Sequence, residues 1–259
     1  MKHRHTAAVL GALLITALAG VPAATAAPTV TIQARIVPIP GFPHTGDKLG
    51  AGAAVEGKVT ISGTEYGGFP PPLIGVNVFL PKGTVLHPSG FPTCAVATLE
   101  PSGQGPKGCP KGSRAGPVGR VNGEVAFGAK IVPEEATVES FYAPGGGLEF
   151  FTYGHEPTVI EVISNAHYVN ASGLYSHELI GEIPLVETVP GAQDASVTNI
   201  SLKVGSAIKK NGKTTYYGRV PKSCPKGGFP GKAEFTFAGL GGLAQQTVTK
   251  TIKVPCPPK

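Results

Sequence analysis

The sequence contains no tryptophan and one methionine, and aromatic residues make up only 7% of it. Aromatic rings are common platforms for stacking planar or ring-shaped ligands, so few such platforms are available. Aspartate is also scarce, because Asp47 and Asp194 are the only two. This scarcity argues against a calcium site built on closely spaced aspartates.

Motifs that build common catalytic sites are absent as well. The sequence has no H-E-x-x-H, no G-x-S-x-G between a strand and a helix, and no glycine-rich loop that leads into a helix. His155-Glu156 and His177-Glu178 are adjacent histidine–carboxylate pairs, but neighbours on a strand point to opposite faces. We therefore predict no catalytic residue, no metal site and no cofactor.

What the sequence does contain begins with a signal peptide. A basic start at residues 1–5 precedes an apolar run at 7–20, and Ala24 and Ala26 occupy positions −3 and −1 of an A-x-A cleavage site. The apolar run is shorter than the roughly 20 residues that a spanning helix needs. We expect cleavage after Ala26, secretion to the extracellular space and no membrane span in the mature chain.

The four cysteines are Cys94, Cys109, Cys224 and Cys256. An even number in an exported chain favours two disulfides, for which three pairings exist. Pairing Cys94 with Cys109 and Cys224 with Cys256 keeps each bridge inside one local unit, and this is the pairing we predict. A four-cysteine zinc site is the alternative, but it normally uses close C-x-x-C pairs, which are missing.

Short segments of alternating polarity, such as 29–37 and 74–80, recur between turns rich in the 37 glycines and 26 prolines. This pattern is typical of many short strands. Asn211-Gly212 between two alternating runs predicts a type I′ hairpin turn. One short helix is expected near residues 94–100, where Pro101 would end it.

The predicted fold is therefore all-β, with two β-sandwich-like units of Ig-like or jelly-roll-like type. After the signal peptide at 1–26, an N-terminal β unit with a disulfide-stapled loop covers 27–122. A C-terminal β-sandwich covers 123–259.

Charge is distributed unevenly along the chain. Residues 131–194 contain ten acidic residues and no lysine or arginine, whereas 195–259 contain eleven basic residues and one acidic residue. Opposite charges on neighbouring strands favour pairing, so we expect the two segments to interleave and neutralise each other. A dedicated ligand surface is the alternative.

Two cysteine neighbourhoods carry a resemblance to a known group of proteins. Cys109-Pro110-Lys111-Gly112 follows a short helical segment that begins at Cys94, and Cys224-Pro225-Lys226-Gly227 repeats the motif before Cys256. Together they resemble secreted proteins of high-GC Gram-positive bacteria, a group with no known activity, over most of the chain from about Val76 onward. The resemblance supports the pairing of neighbouring cysteines, and it implies no activity and no site residues.

The hairpin turn also carries the one candidate binding site. Lys209, Lys210 and Lys213 flank it, and Arg219, Lys222 and Lys226 follow in the chain. Several cations at an exposed tip suggest binding to an anionic polymer of the cell envelope. Alternatively, the lysines only keep a strand end soluble and discourage edge-to-edge pairing.

The leading functional hypothesis is a secreted or envelope-associated, non-catalytic protein with a binding or structural role. The alternative is a secreted hydrolase of envelope or environmental polymers, since glycoside hydrolysis uses paired carboxylates. Glu134, Glu139, Glu149 and Glu161 offer such pairs. Export makes nucleic acid an unexpected partner, and the sequence does not determine the oligomeric state.

Overall fold

The computed structural model describes residues 27–128, 130–187 and 191–257. The predicted signal peptide at 1–26 lies outside these residues. Within them the structure is almost entirely β, as the alternating polarity predicts. No helix in the described part of the chain is long and apolar enough to cross a membrane.

Regular structure comprises fifteen strands, a four-residue helix and one turn of 3₁₀-helix within the described residues. In chain order they are β1 (Thr29–Val37), β2 (Ala54–Ser62), β3 (Leu73–Pro81), β4 (Val85–Leu86), α1 (Val96–Leu99), the 3₁₀ turn (Gly105–Gly108), β5 (Gly119–Phe127), β6 (Lys130–Tyr142), β7 (Leu148–Glu156), β8 (Ile160–Asn170), β9 (Tyr175–Glu182), β10 (Ser196–Val204), β11 (Ala207–Lys210), β12 (Lys213–Tyr216), β13 (Gly218–Arg219), β14 (Phe229–Phe237) and β15 (Gln246–Val254).

Eleven strands form one antiparallel sheet in the order β1-β2-β10-β5-β6-β7-β8-β9-β3-β14-β15. The two edge strands β1 and β15 pack against each other, so the sheet nearly closes on itself. Two small sheets, β11-β12 and β4-β13, lie beside it. The near closure gives the large sheet an inner and an outer face.

The inner face holds the main core. Val30 and Ile61 from the first strands pack with Phe235 and Phe237 from β14, and each is at most 2% exposed. Burying such a side chain stabilises the fold by about 1.5–3 kcal/mol. A second cluster, which includes Tyr142, fills the interior near the β11-β12 hairpin. The alternation of polarity along each strand therefore separates a packed interior from a polar outer face.

Both predicted disulfides are present, Cys94–Cys109 and Cys224–Cys256. The first encloses α1 and the 3₁₀ turn, and it packs with Leu99 over the outer face of β6 and β7. Loops of this size gain about 3–4 kcal/mol each from a bridge on the chain-entropy model. The all-β class, the two bridges and a short helix near residues 94–100 are confirmed.

The sheet mixes strands from both predicted units. β2 pairs with β10, and β3 lies between β9 and β14. A boundary near residue 122 would therefore have to separate strands that are hydrogen-bonded to one another. The division into units at 27–122 and 123–259 stays a prediction.

Candidate functional site at the basic end of the sheet

The loops between the strands alternate between the two ends of the sheet, because neighbouring strands are antiparallel. The register places Val37 opposite Ala54 and Tyr142 opposite Leu148 at the same end. We call this end the basic end. It is formed by residues 38–53, 82–118, 143–147, 171–174, 205–228 and 255–257.

The basic end carries eleven lysines and arginines but only two carboxylates, Asp47 and Glu100. The basic residues are Lys48, Lys82, Lys107, Lys111, Arg114, Lys209, Lys210, Lys213, Arg219, Lys222 and Lys226. All of them except Arg219 are exposed. The described loops at the opposite end carry Glu65, Glu187 and Asp194 and no lysine or arginine. The molecule is therefore electrically polar along the strand direction.

The predicted lysine-rich tip projects from the basic end. Asn211 and Gly212 both have positive φ, 51° and 74°, as a type I′ turn requires. Lys210 lies directly opposite Lys213 across the hairpin. Like charges in this position destabilise a strand pair. No ion pair among the described residues involves either lysine or Lys209, so the tip charge stays uncompensated.

Arg219 is held in place more firmly than the lysines. Its guanidinium lies 5.1 Å from the centre of the Tyr216 ring, and its Nη1 donates to the Gly50 carbonyl at 3.4 Å. The Tyr216 ring in turn occupies the space beside Gly52 that a Cβ atom would fill. These contacts connect the hairpin to the loop at 38–53.

Both disulfides belong to the basic end. Cys94–Cys109 holds the segment that presents Lys107, and Cys224–Cys256 ties loop 205–228 to the chain after β15. A bridged loop loses less conformational freedom when a ligand binds.

One basic side chain of this end already has a partner within the protein. Arg114 forms an ion pair with Glu139 and lies over the Phe141 ring.

A polar groove of about 290 Å³ extends the cationic surface along the outer face of β1, β2, β10 and β5. The register aligns its side chains in two neighbouring rows across the four strands. The rows are Gln33, Lys58, Ser201 and Arg120, and Thr31, Thr60, Asn199 and Asn122. None of the described residues that line this groove is a carboxylate, so an anionic ligand meets only cations and neutral groups there.

The expected interleaving of acidic and basic segments is wrong for the strands that carry most of the carboxylates. β6, β7, β8 and β9 are consecutive in the sheet, and Glu135 even lies opposite Glu156. The order of the strands is set by packing of their apolar inner faces. Exposed charge pairs contribute too little to change that order.

Two glutamates of the candidate hydrolytic set are buried. Burial raises the pKa of Glu149 to about 7 and also raises the pKa of Glu134, partly offset by the Thr158 backbone and by His155. Glu134 shares the inner face with Val138, whereas Glu149 lies opposite Phe141 on the outer face. They therefore cannot flank one substrate.

Glu139 and Glu149 share the outer face as diagonal neighbours on β6 and β7. Glu139 is paired with Arg114, so the two carboxyls lie in contrasting environments. However, Glu149 is only 6% exposed, and neither residue lines the polar groove. Glu161 belongs to a different row, opposite Tyr153.

No protein-family model matches the chain, and no curated protein or solved structure matches it significantly. The predicted resemblance to secreted actinobacterial-type proteins therefore stays a prediction, as does anion binding by Lys209, Lys210, Lys213 and Arg219. Sequence reasoning missed Lys48, Lys82, Lys107 and Lys111 as members of the same surface. The signal that could have found them is that every second loop of an antiparallel sheet lies at the same end, which places these lysines beside the hairpin tip.

Proposed function

We propose that this is a secreted or envelope-associated, non-catalytic binding protein that attaches to an anionic polymer through its basic end. The observation that carries the proposal is the charge imbalance at that end, eleven basic residues against two acidic ones. The predicted signal peptide supports an extracellular location, where disulfides persist.

A polymer fits this surface better than a small anion does. Eleven strands about 4.8 Å apart give a perimeter of at least roughly 53 Å, so the end is at least roughly 17 Å across. Its charges are spread over several loops instead of converging on one pocket. A chain of phosphate or carboxylate groups can contact many of them at once, and it releases counterions as it does so.

The hairpin tip has an energetic reason to bind anions. The repulsion between Lys210 and Lys213 in the free protein is relieved when an anion lies between their ammonium groups. Attraction at an exposed tip is screened beyond about 8 Å at physiological salt. Binding should therefore weaken steeply as salt is added.

The test compares two charge-matched variants on isolated cell wall and on immobilised polyphosphate and polygalacturonate. One variant carries Lys210→Gln and Lys213→Gln, and the control carries Lys130→Gln and Lys250→Gln, away from the basic end. A lysine near an anionic surface contributes about 1 kcal/mol, so the tip variant should bind roughly 30-fold more weakly at low salt. The control should retain most of the affinity.

The outcomes separate a site from general charge. Equal losses in both variants would mean that net charge alone drives binding. Absence of binding by the unmodified protein to all three materials would refute the proposal. The melting temperature of the tip variant should match that of the parent, because surface substitutions usually change stability by no more than about 0.5 kcal/mol. The control is measured in the same way, since Lys250 is only partly exposed.

The hydrolase alternative depends on Glu139 and Glu149. Glu149 has a raised pKa, and Glu139 is paired with an arginine. Two nearby carboxyls in contrasting environments are the arrangement that glycoside hydrolysis uses. It requires the disulfide-stapled segment to expose Glu149. Hydrolysis of wall polysaccharide that disappears in Glu149→Gln would favour this function over simple binding.

A further inference from the structure

A second concave surface lies on the outer face of β3, β9 and β14. The register brings Lys232, Phe79 and Glu178 into one row across these strands. Asn170 at the end of β8 and Ser172 in the β8–β9 loop close one side of the row, and Tyr175 lies at the start of β9. The resulting cleft has a volume of about 400 Å³.

Two aromatic rings lie side by side in this cleft, although aromatic residues are rare in the chain. Phe79 and Tyr175 have their ring centres 5.4 Å apart and are tilted by 56°. The ammonium group of Lys232 lies 3.7 Å from the centre of the Phe79 ring. Because Lys232 covers one face of Phe79, a ligand ring would stack on Tyr175.

The charged groups of the cleft are fixed by neighbours outside it. Asn77 Nδ2 donates to Glu178 Oε1 at 2.9 Å, and Lys232 Nζ donates to Glu234 Oε1 at 2.8 Å. Glu178 keeps its second carboxyl oxygen as an acceptor. Asn170 and Ser172 are exposed and add donors and acceptors at the rim.

We infer that this cleft binds an uncharged sugar, specifically a pyranose ring whose hydroxyl groups are mostly equatorial. Such a ring presents a flat C–H face that packs on an aromatic side chain. Its equatorial hydroxyls point outward, toward carboxylate, amide and hydroxyl partners. Lys232 is already paired with Glu234, and Glu178 has only the neutral Asn77 as its partner, so the cleft does not favour an anionic ligand.

This site is separate from the anion-binding surface in its chemistry. Stacking and hydrogen bonding to a neutral sugar depend little on ionic strength, whereas polymer binding through lysines is screened by salt. Among the described residues that line the cleft, Glu178 is the one carboxylate, whereas most glycoside hydrolases use two. Binding without cleavage is therefore the expected activity.

The experiment titrates the mature protein with cellotriose and with chitotriose at 0.15 M and 0.5 M salt, by amide chemical-shift mapping and calorimetry. Tyr175→Ala removes the stacking ring and should weaken binding about tenfold. Glu178→Gln keeps the shape but removes the charge-assisted hydrogen bond, so a loss of similar size is expected. Tyr153→Ala, which removes an exposed tyrosine on β7, is the matched control.

The inference is supported if either sugar binds at both salt concentrations and shifts the amides of residues 170–178. The variants Tyr175→Ala and Glu178→Gln must lose affinity while Tyr153→Ala keeps it. It is overturned if neither sugar binds, or if the two cleft variants bind as the parent does. Tyr175→Phe keeps the ring and should bind the sugar like the parent. This result would show that the affinity lost in Tyr175→Ala is due to loss of the ring.

Discussion

Replacing Glu149 with glutamine should stabilise the folded protein at neutral pH and have little effect below about pH 4. Glu149 is 6% exposed, and its Oε2 atom has no hydrogen-bond partner among the described residues. Its cross-strand neighbours are Phe141 and Asn165, which carry no charge. Burial therefore disfavours the ionised form and raises the pKa from 4.5 to about 7.

The sign of the pH dependence follows from linkage. Below pH 4.5 the carboxyl is protonated in both the folded and the unfolded chain, so its stabilising contribution is fully present. Between pH 4.5 and about 7 the unfolded chain ionises first, and the free energy of unfolding falls as pH rises. A pKa difference of about 2.5 corresponds to roughly 3 kcal/mol at pH 8.

Glutamine has the shape of the protonated side chain and does not ionise. Urea unfolding followed by tyrosine fluorescence, at pH values from 4 to 8, should therefore show a gap between variant and parent that widens to roughly 3 kcal/mol. Glu161→Gln, an exposed substitution on the neighbouring strand, should stay within about 0.5 kcal/mol of the parent. Burial also raises the pKa of Glu134 and Asp194, so some pH dependence should remain in the variant.

The result that would refute this reasoning is a constant difference between Glu149→Gln and the parent at every pH. It would mean that Glu149 ionises in the folded protein as easily as in the unfolded chain. A variant less stable than its parent at pH 8 would be equally decisive. In that case the ionised carboxylate makes a favourable contact that burial and its neighbours do not reveal.

Two further predictions concern export and the support of Arg219. The intact mass of protein from culture medium should correspond to a chain that begins at Ala27, and a chain that retains residues 1–26 would contradict export with cleavage. Gly52→Ala should displace the Tyr216 ring and cost about 1–3 kcal/mol through overpacking, measured by thermal unfolding. Because that ring supports Arg219, Gly52→Ala should also lose affinity for polyanions. A melting temperature equal to that of the parent would contradict the overpacking, because it would mean that the Tyr216 ring moves aside without cost.

The distribution of charge also predicts how the molecule lies on a polyanionic surface. Cations concentrate at the end that carries both disulfides, and the carboxylates Glu65, Glu187 and Asp194 lie in loops at the other end. Attraction at the basic end and repulsion at the opposite end should hold the basic end against the surface, with the strands roughly perpendicular to it. The sugar cleft would then open on the side of the molecule, near the bound polymer.

Several features could be predicted from the sequence because their signals are local. A period of two in polarity predicts strands regardless of which strands pair. Asn211-Gly212 predicts a type I′ turn because both residues tolerate positive φ, and the structure has that turn. The lysines beside it are exposed for the same local reason, since a two-residue turn places its flanks at the tip of a hairpin.

The tertiary structure alone decided which of these local elements became neighbours. β10 inserts between β2 and β5, and β3 lies between β9 and β14. A period of two specifies a buried face but not a partner, so these pairings depend on how all the apolar faces pack together. For this reason we expected acidic and basic segments to interleave, although the acidic strands β6 to β9 are adjacent. For the same reason the sequence pattern did not connect Lys48 and Lys107 with the hairpin tip. It is also why Phe79, Tyr175 and Lys232, which are far apart in the chain, meet in one cleft only after the sheet has formed.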